Sequence, residues 1–147
     1  MKILCFIPAR KNSKGIKNKN LKRLKNKPLI YHTLNISNKL KNVYEFVSTD
    51  SKKIRNYSNK FLKIKCDYLR PSKISGDKSL LFDAIKDATN WLKKKKFLEF
   101  DAVLVLQPTT PVRKIRDIEK AINIFKEKRY SSLVSLVEMK EHPYECV

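Results

Sequence analysis

The chain has 147 residues and a mass of 17.3 kDa, which suits one domain with a buried core. Hydrophobic residues make up 41% of it, and Lys and Arg exceed Asp and Glu by 34 to 14, which gives a formal net charge of +20. This composition excludes a disordered tail, and its two glycines, Gly15 and Gly76, are too few for the glycine-rich GxGxxG and Walker phosphate loops.

The first half of the chain alternates strand and helix patterns. An apolar run at residues 3–7 predicts a buried strand, and a long basic loop follows it. A helix is predicted over residues 29–40, opened by Pro28 near its first turn. A second buried strand is predicted at Val43–Ser48 and a helix at residues 51–61, with Asp50 as the expected N-cap.

The second half continues the alternation. A weaker run at residues 64–69 predicts a short edge strand. The clearest helical pattern covers residues 78–95, with Asp77 placed to cap it. A buried strand at residues 102–106, a helix at residues 115–128 and a last strand at residues 133–137 complete the pattern.

This order of elements predicts the fold class. Helices between successive strands imply βαβ units and therefore an α/β fold with a doubly wound, mostly parallel sheet. Such sheets bind ligands at the carboxyl ends of their strands, close to the reversal of strand order. The loops after residues 7, 48 and 106 are therefore the expected location of the functional site.

The loop after the first strand is long, cationic and rich in hydrogen-bond donors. Arg10 offers a planar fork to phosphate oxygens, Lys14 and Lys19 offer point charges, and Asn12 and Ser13 add neutral donors. The loop is thus interpreted as a polyphosphate-binding loop without a glycine-rich cradle. The alternative is an ordinary solvated loop in a lysine-rich protein.

The high charge also raises the alternative of a nucleic-acid-binding module, because Lys and Arg neutralise backbone phosphates. Lysine is enriched along the whole chain, however, and the one dense run, residues 93–96, lies where a helix should end and where cations are favourable. Small anions such as nucleotides are therefore the preferred partners, and no nucleic acid is expected.

The cysteines and the apolar segments indicate the compartment. Cys5, Cys66 and Cys146 are odd in number and form no CxxC or Cys/His ligand pattern, which favours a reducing, cytoplasmic location and no metal ligands. The run at residues 3–7 is too short for a signal peptide or a membrane span. We expect no membrane association.

Four blocks, in order, resemble one enzyme family. They are IPARKNSKGIKNKNLKRLKNKPLI from Ile7, VSTDS from Val47, RPSKISGD from Arg70 and LQPTTPVR from Leu106. Together they resemble the acylneuraminate cytidylyltransferases over essentially the whole chain. The resemblance implies a Rossmann-like fold of the nucleotide-diphospho-sugar transferase type. It also implies transfer of CMP from CTP to the anomeric hydroxyl of a sialic-acid-type nonulosonic acid, with release of pyrophosphate.

The same resemblance assigns roles to the basic loop. Lys19 and Arg10 become the expected catalytic residues, Lys19 at the α-phosphate and Arg10 at the leaving β- and γ-phosphates. Further nucleotide-binding residues carried over from the blocks are Asn12, Ser13, Lys14, Asn20, Arg70 and Asp77. For Arg70 the alternative is a surface ion pair, and for Asp77 it is a helix cap alone.

The later blocks carry the expected sugar contacts. Gln107 is assigned to the sugar, with Thr109 beside it, and the alternative is a simple strand-to-helix turn. Arg113 is left open between the sugar carboxylate and a surface pair. His142 is left open between the acceptor sugar and a structural role, and His32 is interpreted as structural or exposed.

The sequence also departs from the family. Leu80 and Leu81 follow Ser79, where small hydroxyl residues are common. Members are considerably longer, with an arm that packs on a second subunit and an Asp-x-Asp element that binds Mg²⁺. We therefore expect residues 1–147 to be one incomplete cytidylyltransferase domain that lacks the usual Mg²⁺ ligands, and a homodimer only in a full-length form.

Two sets of alternatives stay open. The chain could be a CTP-binding remnant without activity rather than an enzyme. The sugar could be sialic, legionaminic or pseudaminic acid, and the eight-carbon 3-deoxy-manno-octulosonate cytidylyltransferases fit the blocks less well.

Overall fold

The structure is a computed structural model that describes residues 1–12, 15–136 and 138. It divides into two compact units, Met1–Ile115 and Arg116–Val147. The first unit contains the sheet and the helices that flank it, and the second contains most of the last helix. The expectation of one domain stays a prediction.

The strands in chain order are β1 (Ile3–Pro8), β2 (Arg23–Leu24), β3 (Lys27–Pro28), β4 (Val43–Ser48) and β5 (Ala102–Val105). The α-helices of the described residues are α1 (Leu29–Ser37), α2 (Lys52–Ser58), α3 (Leu81–Lys96) and α4 (Ile115–Lys128). None of these helices is long and apolar enough to cross a membrane. The strands predicted at Val43–Ser48 and at the chain start are confirmed. The strand predicted at residues 102–106 ends one residue early, and the prediction that it is buried is wrong for Ala102–Val105, none of which is buried.

The main sheet is parallel, in the order β4-β1-β5. Phe6 in the central strand lies opposite Phe46 on one side and Val105 on the other. The side chains of β1 from Ile3 to Ile7 are buried, as expected for a strand covered on both faces. The predicted parallel α/β architecture is therefore confirmed.

A small hairpin closes the basic loop. Strands β2 and β3 are joined by Lys25 and Asn26, both with positive φ, which is the backbone of a two-residue hairpin turn. The His32 ring nitrogen Nε2 lies 3.0 Å from the Leu24 carbonyl oxygen, so α1 holds the hairpin. The structural interpretation of His32 is consistent with this contact.

Two predicted helix caps are wrong. Ser51, not Asp50, caps α2, because its Oγ accepts from the Ile54 amide at 3.3 Å. Helix α3 begins at Leu81 rather than at residue 78, and no side chain caps it. Leu80, not Asp77, is at the N-cap position of this helix.

Two predicted strands are also wrong. Over residues 64–69 the backbone is irregular, because the side-chain amide of Asn59 bonds both the amide and the carbonyl of Cys66, at 3.0 and 2.9 Å. Residues 133–136 form no strand either, and Leu136 is 91% exposed. An apolar run becomes a buried strand only when another strand pairs with it, and none of the described residues does. Val137 lies outside the described residues.

Aromatic packing attaches α3 to the sheet. The ring centroids of Phe46 and Tyr68 lie 5.1 Å apart, and Trp91 of α3 lies 6.2 Å from Phe46 and 5.5 Å from Tyr68. Such clusters add pairwise attraction to the burial of apolar area. The cluster fixes the segment from Tyr68 to α3, which crosses the carboxyl end of the sheet.

Candidate functional site

The carboxyl ends of the three parallel strands border a cavity. The chain passes from β1 to β4 on one side and then to β5 on the other, so the strand order reverses at β1. A cavity of about 410 Å³ opens there, between the loop after β1, the segment before α3 and the loop after β5. This is the position at which open α/β sheets bind ligands.

Most of the predicted site residues meet in this cavity. Its wall contains Arg10, Lys19, Asn20, Arg70, Asp77, Gln107 and Thr109. Asn12 is not among the lining residues. Ser13, Lys14 and His142 lie outside the described residues.

The loop after β1 is held by side chains at both ends. The Lys11 amide donates to Asp50 Oδ1 at 2.6 Å, and the buried Asn20 side chain donates from Nδ2 to the Arg10 carbonyl oxygen at 3.0 Å. Asn18 adopts a left-handed φ of 54° just before the short 3₁₀ turn Lys19–Leu21. Asn20 thus shapes the loop as well as lining the cavity.

Arg10 and Asp77 are paired within the site. Arg10 Nη1 lies 2.7 Å from Asp77 Oδ1, and the two side chains are 31% and 43% exposed. Asp77, considered as a helix cap, is instead the counter-charge of a predicted phosphate-binding residue.

Arg70 is the buried cation of the cavity, only 8% exposed. Its Nε donates to Ser48 Oγ at 2.9 Å and its Nη2 to the Ser48 carbonyl at 2.6 Å. Burial lowers the pKa of its guanidinium, and Tyr68, Asp50 and Asp87 oppose that shift. The alternative of a surface ion pair for Arg70 is wrong, because no carboxylate among the described residues bonds it.

The loop after β5 is closed by Arg113. Its Nη2 donates to the Gln107 carbonyl at 2.5 Å and its Nη1 to Thr33 Oγ1 at 3.3 Å. The Thr110 amide donates to the same carbonyl at 3.2 Å. Arg113 therefore braces the loop that presents Gln107, and burial lowers its pKa.

Sequence reasoning missed part of the wall. One side of the cavity is apolar and consists of Ile74, Leu80 and Leu81. In the sequence, Leu80 and Leu81 were noted only as a departure from the family pattern and were not assigned to the site. Ser48 was missed as well, although it belongs to the VSTDS block and ends β4. No sequence signal identified its contact with Arg70, because the two residues meet only through the fold.

The electrostatics of the wall favour an anionic ligand. Arg10, Lys19 and Arg70 are cationic and Asp77 is the only carboxylate among the lining residues, so three positive charges face one negative charge. The described residues contain no cluster of three metal-ligating side chains. A triphosphate could be neutralised here by side chains without a glycine-rich loop.

These features define an α/β protein with a cationic cavity at the carboxyl ends of its parallel strands. A model of the cytidylyltransferase family matches residues 4–146. The chain therefore belongs to the cytidylyltransferase family.

Individual relatives agree with this assignment. The N-acylneuraminate cytidylyltransferase of Streptococcus agalactiae serotype V is 31% identical over 97% of this chain and 34% of the relative. The CMP-N,N'-diacetyllegionaminic acid synthase of Legionella pneumophila is 36% identical over 99% of this chain and 62% of the relative. The chain thus spans between about a third and three fifths of these relatives.

A solved structure supports the fold. The structure of CMP:2-keto-3-deoxy-manno-octonic acid synthetase complexed with CTP matches 88% of this chain and 49% of that chain, with a TM-score of 0.69 at 21% identity. The predicted Rossmann-like nucleotide-sugar transferase fold is confirmed.

Proposed function

We propose that this chain forms the nucleotide-binding part of an enzyme that transfers CMP from CTP to a nonulosonic acid and releases pyrophosphate. The observation that carries the proposal is the convergence of Arg10, Lys19, Arg70 and Gln107 on one cavity at the strand ends. Membership in the cytidylyltransferase family and the names of the relatives support the same reaction.

The proposed reaction depends on positioning and on charge. The anomeric hydroxyl of the sugar forms a bond to the α-phosphorus while the bond to the pyrophosphate oxygen breaks. We assign Lys19 to the α-phosphate, where charge develops, and Arg10 to the leaving β- and γ-phosphates. Such fixed cations stabilise the transition state more than they stabilise the ground state.

The remaining lining residues divide between the two substrates. We assign Arg70 and Asp77 to the nucleoside side, since the first is a fixed cation and the second a carboxylate in the same wall. Asn12, Ser13, Lys14 and Asn20 stay assigned to the phosphates and the ribose through the matching loop. Gln107, with Thr109 2 residues further on, is assigned to the sugar, and Thr109 Oγ1 lies 3.5 Å from Gln107 Oε1.

The names of the relatives are the basis for the proposed class of sugar. One is named for acylneuraminate and another for diacetyllegionaminic acid, so sialic and legionaminic acids, with pseudaminic acid, are the proposed class. The activity is proposed to be cytoplasmic and to serve glycan biosynthesis. A homodimer is proposed for the full-length form.

The proposal includes Mg²⁺ only as an ion bound to the phosphates of CTP. Among the lining residues Asp77 is the only carboxylate, and it is bonded to Arg10, so the described residues do not fit a Mg²⁺ held by the protein. A Mg²⁺ usually needs one or two carboxylates together with substrate phosphates. The same observation favours a second candidate, CTP binding without turnover.

The test is calorimetry with CTP, followed by a pyrophosphate-release assay with CTP, Mg²⁺ and N-acetylneuraminic acid or its legionaminic and pseudaminic analogues. The proposal predicts binding and release with at least one sugar. Binding without release would establish the second candidate. Absence of CTP binding would overturn both, and salt-sensitive retention of RNA in its place would favour the nucleic-acid alternative.

A further inference from the structure

Arg70 is a charged group whose burial needs an explanation. None of the three ion pairs within the described residues includes it. Charged side chains are rarely buried without a counter-charge, because the loss of hydration is large. The fold must therefore hold this guanidinium in place by other bonds.

Both hydrogen bonds that the guanidinium makes to the described residues go to Ser48. Ser48 accepts at its hydroxyl oxygen from Nε and at its carbonyl oxygen from Nη2. Two bonds from a planar group to one residue fix the plane of that group. The third nitrogen, Nη1, has no protein acceptor in the part of the chain that the structure describes.

Ser48 is itself fixed by the sheet. It is fully buried at the end of β4, opposite Pro8, and its carbonyl oxygen also accepts from the Ala9 amide at 2.9 Å. The Arg70 amide donates to the neighbouring Thr49 carbonyl at 2.8 Å. The position of Arg70 is thus tied to the ends of two adjacent strands.

We propose that Ser48 is a positioning residue that fixes the Arg70 guanidinium while leaving its charge and its Nη1 for the nucleotide. Ser48 is not among the residues that line the cavity, so its effect on a ligand passes through Arg70. A carboxylate at this place would hold the guanidinium but would also neutralise it, whereas two neutral oxygens do not. The inference rests on the proposed function, since the ligand concerned is CTP.

The test is a double-substitution cycle on CTP affinity, measured by calorimetry. Ser48→Ala is expected to weaken CTP binding about tenfold, the typical effect of losing one hydrogen bond to a charged group. In an Arg70→Ala background the same substitution should change affinity less than twofold, because residues that act together are not additive. Independent, additive effects would overturn the proposal.

Two controls separate positioning from general destabilisation. Ser37→Ala removes another fully buried hydroxyl, one that donates to Glu45 Oε1 at 2.8 Å, and should leave CTP affinity unchanged. Binding of inorganic tripolyphosphate, which depends on Arg10 and Lys19 instead, should be equal in Ser48→Ala and wild type. Ser48→Cys keeps the side-chain size but offers a poor hydrogen-bond acceptor, so it should weaken CTP binding as much as Ser48→Ala does. It replaces Ser48→Ala in the test if that variant folds poorly.

A ligand-free measurement keeps the two proposals distinguishable. The Nε–H proton of Arg70, observed by NMR, should exchange with water at least tenfold faster in Ser48→Ala than in wild type. Equal exchange rates would overturn the positioning role whatever CTP does. Wild-type protein that fails to bind CTP would instead overturn the proposed function.

Discussion

Arg10 and Asp77 form an ion pair within the cavity, with Nη1 and Oδ1 2.7 Å apart. One nitrogen of the guanidinium of this predicted phosphate-binding residue is therefore bonded to a carboxylate. A phosphate that reaches Arg10 must compete with this carboxylate. The competition is limited, because both side chains are partly exposed and such pairs contribute at most about 1 kcal/mol.

Asp77→Asn is expected to tighten the binding of inorganic tripolyphosphate about two- to fivefold, since the competing carboxylate loses its charge. Calorimetry at low salt measures the change. Asp83→Asn, the same substitution at a residue in the first turn of α3 that does not itself line the cavity, is the matched control and should have little effect. Weaker tripolyphosphate binding in Asp77→Asn would show that Asp77 orients Arg10 rather than competing for it.

Arg10→Ala and Lys19→Ala should each weaken CTP binding about 10- to 100-fold, the range expected for one charge-assisted bond. Neither residue belongs to the buried core, so the melting temperature should stay within a few degrees of wild type. Lys17→Ala removes an exposed cation of the same loop that does not line the cavity and serves as the control. Equal losses in all three variants would indicate general attraction by the net charge.

Arg113→Ala should lower the free energy of unfolding by about 1–3 kcal/mol, because the buried Thr33 hydroxyl loses the guanidinium as donor and the Gln107 carbonyl keeps only the Thr110 amide. Arg113→Lys should restore only part of this, since an ammonium cannot span both acceptors with a planar fork. Urea unfolding measures both variants. The exposed Arg23→Ala provides the control, and full recovery in Arg113→Lys would contradict the bracing role.

Cys5 predicts a decline in stability at alkaline pH. Burial, assisted by Glu45, raises the pKa of its thiol from 9.0 to about 12. Above pH 9 the unfolded chain loses this proton while the folded chain keeps it, so unfolding becomes more favourable as pH rises toward 12. The slope from this one group reaches about 1.4 kcal/mol per pH unit.

Cys5→Ala should therefore show a shallower loss of stability between pH 9 and 11 than wild type, even though the cavity it creates lowers stability at pH 7. Urea unfolding at pH 7, 9, 10 and 11 gives both slopes. Other groups that titrate in this range contribute to both proteins alike. Parallel slopes would show that the thiol is not protected from ionisation.

Strands β1 and β4 of the sheet could be predicted because local pattern and burial agree there, whereas β5 is only partly covered. Val43–Ser48 and the run from Ile3 are apolar enough to be covered on both faces, and the structure covers them. The run at residues 133–137 has the same local character, yet residues 133–136 form no strand. Pairing depends on other strands, and a sequence pattern does not contain that information.

The caps and the fixed contacts of the site could not be predicted for a related reason. Asp50 and Asp77 both precede helices, so the sequence predicts each as a helix cap. In the structure Asp50 accepts from the Lys11 amide, and Asp77 pairs with Arg10. Ser51 and Asp50 are adjacent, and only the backbone decides which of them reaches the free amide. The ordered motifs identified which residues belong to the site, whereas the geometry among them required the fold.

The central place of β1 in the order β4-β1-β5 has a consequence for folding on the ribosome. One edge of β1 can pair once Val43–Ser48 has been synthesised, but the other waits for Ala102–Val105, about a hundred residues after β1. Until then a growing chain presents an apolar strand with open backbone groups, a known hazard for association between chains. Because the cavity also takes Gln107 from beyond β5, it is completed only after the segment that follows β5 has been translated.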